Sequence, residues 1–151
     1  MPEKETLERA RRDKREGKSP STQAGEFIRE EIHHIREGKH GAASTKQAIA
    51  IGLSKARRAG VKMPMPKRGT VSKRTMKEAR NASKAGAKRT KKPRSRARSR
   101  AATRRLRRQG SSAASPQALA RHARAVARSR TSAQRKASAR KAAKTRARRA
   151  A

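Results

Sequence analysis

The sequence predicts an all-α protein: a small helix–loop–helix head followed by a long basic tail that is largely disordered or only conditionally helical. Three observations carry this. Charge is split: up to Gly60 there are 14 basic and 9 acidic residues, and beyond it 32 basic residues and one acid, Glu78. Residues 44–60, STKQAIAIGLSKARRAG, carry a helix start, face and stop that agree with one another. Hydrophobic residues make up 31% of the 151, but much of that is alanine, with one Phe and no Tyr or Trp. So little apolar surface does not offset the conformational entropy of the whole chain. The division expected is a helical head over residues 1–60, a linker over 61–69 marked by Pro64, Pro66 and Gly69, and a low-complexity tail over 70–151.

In the head, residues 6–16 contain helix formers but only Leu7 and Ala10 as an apolar face, which reads as a solvated helix or frayed arm. Ser19 followed by Pro20 fits a cap with proline at the first helical position. From there to Glu37, Ala24, Ile28, Ile32 and Ile35 form one stripe with Phe27 beside it, and Gly38 and Gly41 close the segment. Ser44 and Gln47 make a capping box. Ile49, Leu53, Ala56 and Gly60 then share a face, and Pro64 forbids continuation. Two short helices have a marginal core, so homodimerisation through the head helices, or ordering on a ligand, is expected.

In the tail, residues 72–85 have a weak helical pattern with Met76 and Ala79. Residues 88–108 are the densest basic run, and 110–115 are a flexible break. Ser115–Pro116 repeats the cap-then-proline signal and opens an alanine–arginine stretch containing Leu119, His122 and Val126. Alanine and arginine favour helix, but like charges four apart, as at Arg124 and Arg128, oppose it. Helix in the tail is therefore expected against a polyanion rather than in free solution.

Net charge of +36 points to nucleic acid as the partner. No apolar run is long enough to span a membrane, and the N-terminus lacks the apolar core of a signal peptide. Binding to a membrane surface would need larger apolar side chains than the alanines of the basic half supply. Arginine exceeds lysine 21 to 11 beyond Gly60, which suits paired bonds to phosphate oxygens. The scarcity of aromatics disfavours a base-stacking platform. Each phosphate neutralised on duplex DNA adds about −0.9 to the salt slope of binding.

Sharper motifs are weak. The head invites a helix-turn-helix reading, but its connection is longer than the usual 3–4 residues. Only Lys46 and Gln47 are polar where bases would be read, so a packing unit with a basic end is preferred. His33, His34 and His40 lie near Glu30 and Glu37, without the tight ligand spacing of known metal motifs, and no metal or other cofactor is expected. No cysteine is present, nor a Walker loop, nor a serine with paired histidine and acid. Ser95 and Ser99 in RSRARSR are candidates for phosphorylation, which would reduce the positive charge; mass spectrometry of the native protein tests this.

Two runs, GEFIREEIHHIREGKHG and STKQAIAIGLSKARRAG, carry a resemblance over about residues 4–66 to a family of small uncharacterised bacterial proteins. The resemblance implies a bacterial origin and no particular activity. In composition alone the tail is similar to those of bacterial histone H-one-like nucleoid proteins, with arginine in excess where lysine is usual.

The function expected is therefore non-enzymatic, histone-like binding and compaction of duplex DNA through phosphates, cytoplasmic and nucleoid-associated. The alternatives are an RNA- or ribosome-associated protein, and a protein-interaction module with a solubilising or targeting tail. The cations assigned to the interface are Lys55, Arg57 and Arg58 in the head. In the tail they are Lys91, Lys92, Arg94, Arg96, Arg98, Arg100, Arg104, Arg105, Arg107 and Arg108.

Overall fold

Serine, threonine and glycine punctuate this chain, and helices form between them. The computed structural model describes residues 2–67, 69–87 and 95–150. Among these are α1 (Lys4–Arg15), α2 (Pro20–Arg36), α3 (Thr45–Arg58), α4 (Lys73–Ala87), α5 (Arg96–Arg107), a 3₁₀ turn (Ser112–Ala114), α6 (Pro116–Ser129) and α7 (Ser132–Ala150), with no strand among the described residues.

The caps expected for the head form. Ser19 Oγ accepts from the Thr22 amide, with Pro20 opening α2. Ser44 Oγ accepts from the Gln47 amide at 3.2 Å, and Gln47 reaches back to the Ala43 amide, one residue before the cap, at 3.0 Å. Gly38 and Gly60 end α2 and α3 with φ of +72° and +92°, a conformation L side chains avoid. After each, the chain donates back to the last turn, Lys39 to the His34 carbonyl and Val61 to that of Ala56.

Packing departs from the expected face of α3. The buried stripe is Thr45, Ala48, Gly52 and Ala56, while Ile49 and Leu53 are only partly buried. Small residues let the backbones close: a Cβ on Gly52 would lie 2.7 Å from the Cα of Ile28. On one side of this crossing Ala10, Ala24, Phe27 and Ala56 pack together, with Leu7, Leu53, Val61 and Met63 against them. On the other side Ile32, Ile35, Ala42 and Ala48 pack with Ala113 and Ala114, flanked by Ile28 and Leu119.

The first helix is not a frayed arm. Thr6, Ala10 and Asp13 are buried against α2, Arg9 pairs with Glu26 at 2.7 Å, and the Glu3 amide donates to Glu30 at 3.1 Å.

The expectation of a long disordered tail after a small head is also overturned. The described residues beyond the linker are largely helical, and several complete the core. On α4, Ala79 and Ala82 are buried and the helix packs along α3. Gly86 comes so near that a Cβ would meet the Arg57 carbonyl oxygen at 2.1 Å. Farther on, the Gly41 and Ala42 amides donate to the Leu106 and Gly110 carbonyls at 3.0 and 3.2 Å. Thr45 Oγ1 donates to the Ala113 carbonyl at 2.8 Å, and Arg36 Nε to that of Ala114 at 2.9 Å. Packing thus crosses the segment taken as a linker, whose Val61 and Met63 themselves join the core.

The physical reason is local. Alanine and glycine add little to hydropathy, yet they let helices approach closely. Caps at Ser72, Ser95, Ser115 and the reciprocal Thr131–Gln134 pair start each helix. The buried faces of α2 and α3 pack within the chain, against α1, α4 and the Ser112–Ala114 turn.

Candidate nucleic-acid interface

Arginine's charge is available to a ligand only where it stays in solvent, so burial sorts the cations. Every residue of α5 except Leu106 is exposed. At 100° per residue Arg96, Arg100, Arg104 and Arg107 lie within one side of the helix, and Arg98 and Arg105 on the opposite side. Ser99, Arg100, Thr103, Arg104, Arg107 and Arg108 line a shallow groove along it. From Arg96 to Arg107 the rise is about 16 Å, a length over which duplex DNA carries roughly ten phosphate charges.

On α6, Arg121, Arg124 and Arg128 share an exposed face at i, i+3 and i+7, opposite the side where Leu119 packs on the core. Arg135, Lys136, Arg140, Lys141, Lys144, Arg146 and Arg148 of α7 are exposed, as are Lys73, Arg74, Lys77, Arg80 and Lys84 of α4. The only acid past Gly60 is Glu78, bonded to Arg74 at 3.0 Å. Carboxylates therefore gather on α1, α2 and the turns beside them, and helices α4 to α7 present cations almost alone.

Of the residues assigned from sequence, Arg96, Arg98, Arg100, Arg104, Arg105, Arg107 and Arg108 lie together on or at the end of α5, exposed. Lys91, Lys92 and Arg94 fall outside the described residues. Arg58 is exposed at the end of α3. The other two head cations turn inward, a correction to the expected set. Lys55 Nζ lies 2.9 Å from Glu30 Oε1 and 2.7 Å from Glu31 Oε2. Burial pulls the Lys55 ammonium down, but these two carboxylates outweigh it and hold it above the ordinary lysine value. Arg57 is 7% exposed and donates through Nη2 to the Pro64 carbonyl at 3.3 Å, and burial lowers its pKa.

The inward pair escaped sequence reading because basic residues in a last helical turn suit the helix dipole whichever way they face. A signal was present: Lys55 follows Ala48 and Gly52 at spacings that keep it beside the buried stripe, where it meets Glu30 and Glu31 of α2. The α6 arginines were legible from their spacing alone. α3 packs against both α2 and α4, and its exposed residues are Lys46, Ala50 and Arg58, a sparse set for reading bases. Among the described residues no helix is long and apolar enough to cross a membrane.

Residues 14–68 match a family of unknown function, DUF6496. The match begins within α1 and spans α2, α3 and the strap that follows, stopping before the cationic helices α4 to α7. No curated protein and no solved structure is matched by the chain.

Proposed function

We propose that this protein binds duplex DNA through phosphate contacts, without catalysis and with little reading of base sequence. The observation that carries the reading is the cationic surface of α5 to α7, with 32 cations and one acid beyond Gly60. An ordinary solvated face mixes both signs. Here neighbouring guanidiniums repel one another, and a polyanion relieves that repulsion while its counterions are released. Arginine's fork bonds phosphate oxygens in pairs, and the absence of tyrosine and tryptophan favours backbone contact over base stacking. The DUF6496 region is then the scaffold on which the cationic helices are mounted. Several such helices on one chain reach more than one duplex, so compaction of the kind histone-like nucleoid proteins perform follows from the same contacts.

The test is binding of the full chain to duplex DNA and to structured RNA across a salt series, beside the variant with Arg96, Arg100, Arg104 and Arg107 all replaced by Gln. These four side chains are exposed, so the fold is kept. If all four meet phosphates, the slope of log affinity against log salt becomes shallower by about 3.6. An unchanged slope removes α5 from the interface. Preference for structured RNA over duplex replaces the DNA reading with the RNA-associated one. Absence of salt-dependent binding to either leaves the cationic helices as a solubilising appendage and overturns the proposal.

A further inference from the structure

Two acids interrupt the apolar pattern of α2, and both are inside. Glu30 and Glu31 are 3% and 0% exposed. A single ammonium, Lys55, serves the two carboxylates, so the buried group carries excess negative charge. Such a charge is costly away from water unless another cation meets it. Neither oxygen of Glu31 has an aligned hydrogen bond, although Lys55 and His40 lie at ion-pair distance.

What faces Glu31 is unusual. His40 Nε2 lies 3.2 Å from Glu31 Oε1, while its Nδ1 lies 3.2 Å from the Gly41 carbonyl oxygen. A carbonyl oxygen only accepts, so Nδ1 carries the hydrogen and Nε2 is the ring atom turned toward the carboxylate. A cation shared by Nε2 and the unbonded Glu31 oxygens would meet the buried charge. A third donor is at hand. His34 follows Glu31 by three positions on α2, and its ring meets that of His40 edge-on with centroids 6.1 Å apart. His34 Nε2 lies 2.9 Å from Glu3 Oε1, the carboxylate partner that commonly orients a ligating imidazole, which leaves Nδ1 for a ligand.

Glu31, His34 and His40 each offer one ligand atom, and these lie within 4.8 Å of one another. We propose that these three side chains bind a divalent transition-metal ion of the zinc class. Two imidazoles and a carboxylate suit such an ion and disfavour calcium and magnesium, which prefer all-oxygen shells. At zinc bond lengths the ligand atoms of a tetrahedral site are about 3.3 Å apart, so small side-chain movements close the set. The ion ties α2 to the loop carrying Gly41 and Ala42, whose amides hold the segment from Leu106 to Gly110. Metal binding thus reinforces the docking of the second half of the chain on the first.

The test uses the full chain without nucleic acid, titrated with Zn²⁺ by calorimetry and with Co²⁺ by visible absorption. One equivalent is expected to bind, with the intense visible bands of tetrahedral cobalt and a rise in melting temperature. His40→Ala and Glu31→Gln abolish the cobalt bands, and Glu3→Gln weakens binding about 10–100-fold. His33→Ala and His122→Ala leave it unchanged. Should Glu31→Gln fail to fold, His34→Ala and His40→Ala, both at partly exposed rings, carry the same comparison. The proposal is overturned if no saturable binding occurs, or if His40→Ala and His34→Ala retain the cobalt spectrum.

Discussion

Gly52 sets the distance between α2 and α3. In an isolated helix Gly→Ala is worth about 1 kcal/mol in favour of alanine. Here the new methyl would sit 2.7 Å from the Cα of Ile28, a backbone atom that cannot rotate away. Overpacking of this kind costs about 1–3 kcal/mol. We therefore expect Gly52→Ala to lower the urea midpoint at constant m-value; a more stable variant would mean the two backbones are not in contact. The same scale shows where sequence reading stops. Nothing local in the sequence marks Gly52 as a glycine needed by a partner 24 residues earlier. Lys55 and Arg57 were misplaced for a related reason. A cation at a helix end satisfies the dipole whether it faces water or a buried carboxylate, and only the partner's position decides.

Helix boundaries were legible because caps are local chemistry. Ser19–Pro20, Ser44 with Gln47, Gly38, Gly60 and Ser115–Pro116 all mark ends where the sequence placed them. Faces were less legible, because weighting by side-chain size put Ile49 and Leu53 inward, whereas close packing chose Thr45, Ala48 and Gly52, with Ala56 buried as expected. The charged pair between α2 and α3 carries a prediction at this scale. Burial pushes the Glu30 carboxyl up, but bonds from Lys55, the Glu3 amide and Thr6 outweigh it and hold Glu30 below its ordinary value. The unfolded chain then binds more protons than the folded one in the acid range. Stability from Glu30 is complete above the unfolded carboxylate pKa and is lost as pH falls through the folded one. For Lys55, raised, the sign reverses: its contribution is complete below the unfolded lysine pKa and is lost as pH rises through the folded one. Melting temperatures taken with a chelator present should therefore hold a plateau at neutral pH and fall on the acid side. Glu30→Gln should be less stable on the plateau with a flatter acid limb, and an unaltered limb would assign the acid sensitivity to other carboxylates.

For the whole molecule, the question is which part of the basic half folds and which part binds. Average composition made residues 70–151 look uniform, because a handful of core contributors is diluted among 29 cations. The structure separates them. Leu106, Gly110, Ala113, Ala114 and Leu119 meet the α2–α3 region, whereas every side chain described in α7 is exposed. Two truncations should consequently behave in opposite ways. Removal of 131–151 takes away eight cations and no core contact. It should leave the melting temperature unchanged while making the salt slope of DNA binding shallower, by up to about 7 if every one of those cations meets a phosphate. Removal of 106–151 strips Ala113, Ala114 and Leu119 from the cluster of Ile32, Ile35, Ala42 and Ala48. That variant should lose stability and expose apolar surface to a hydrophobic dye. If both truncations melt like the intact chain, the second half is not docked on the first. If the shorter removal alone destabilises, α7 packs on the molecule, and its cations are not simply a surface held out for phosphate.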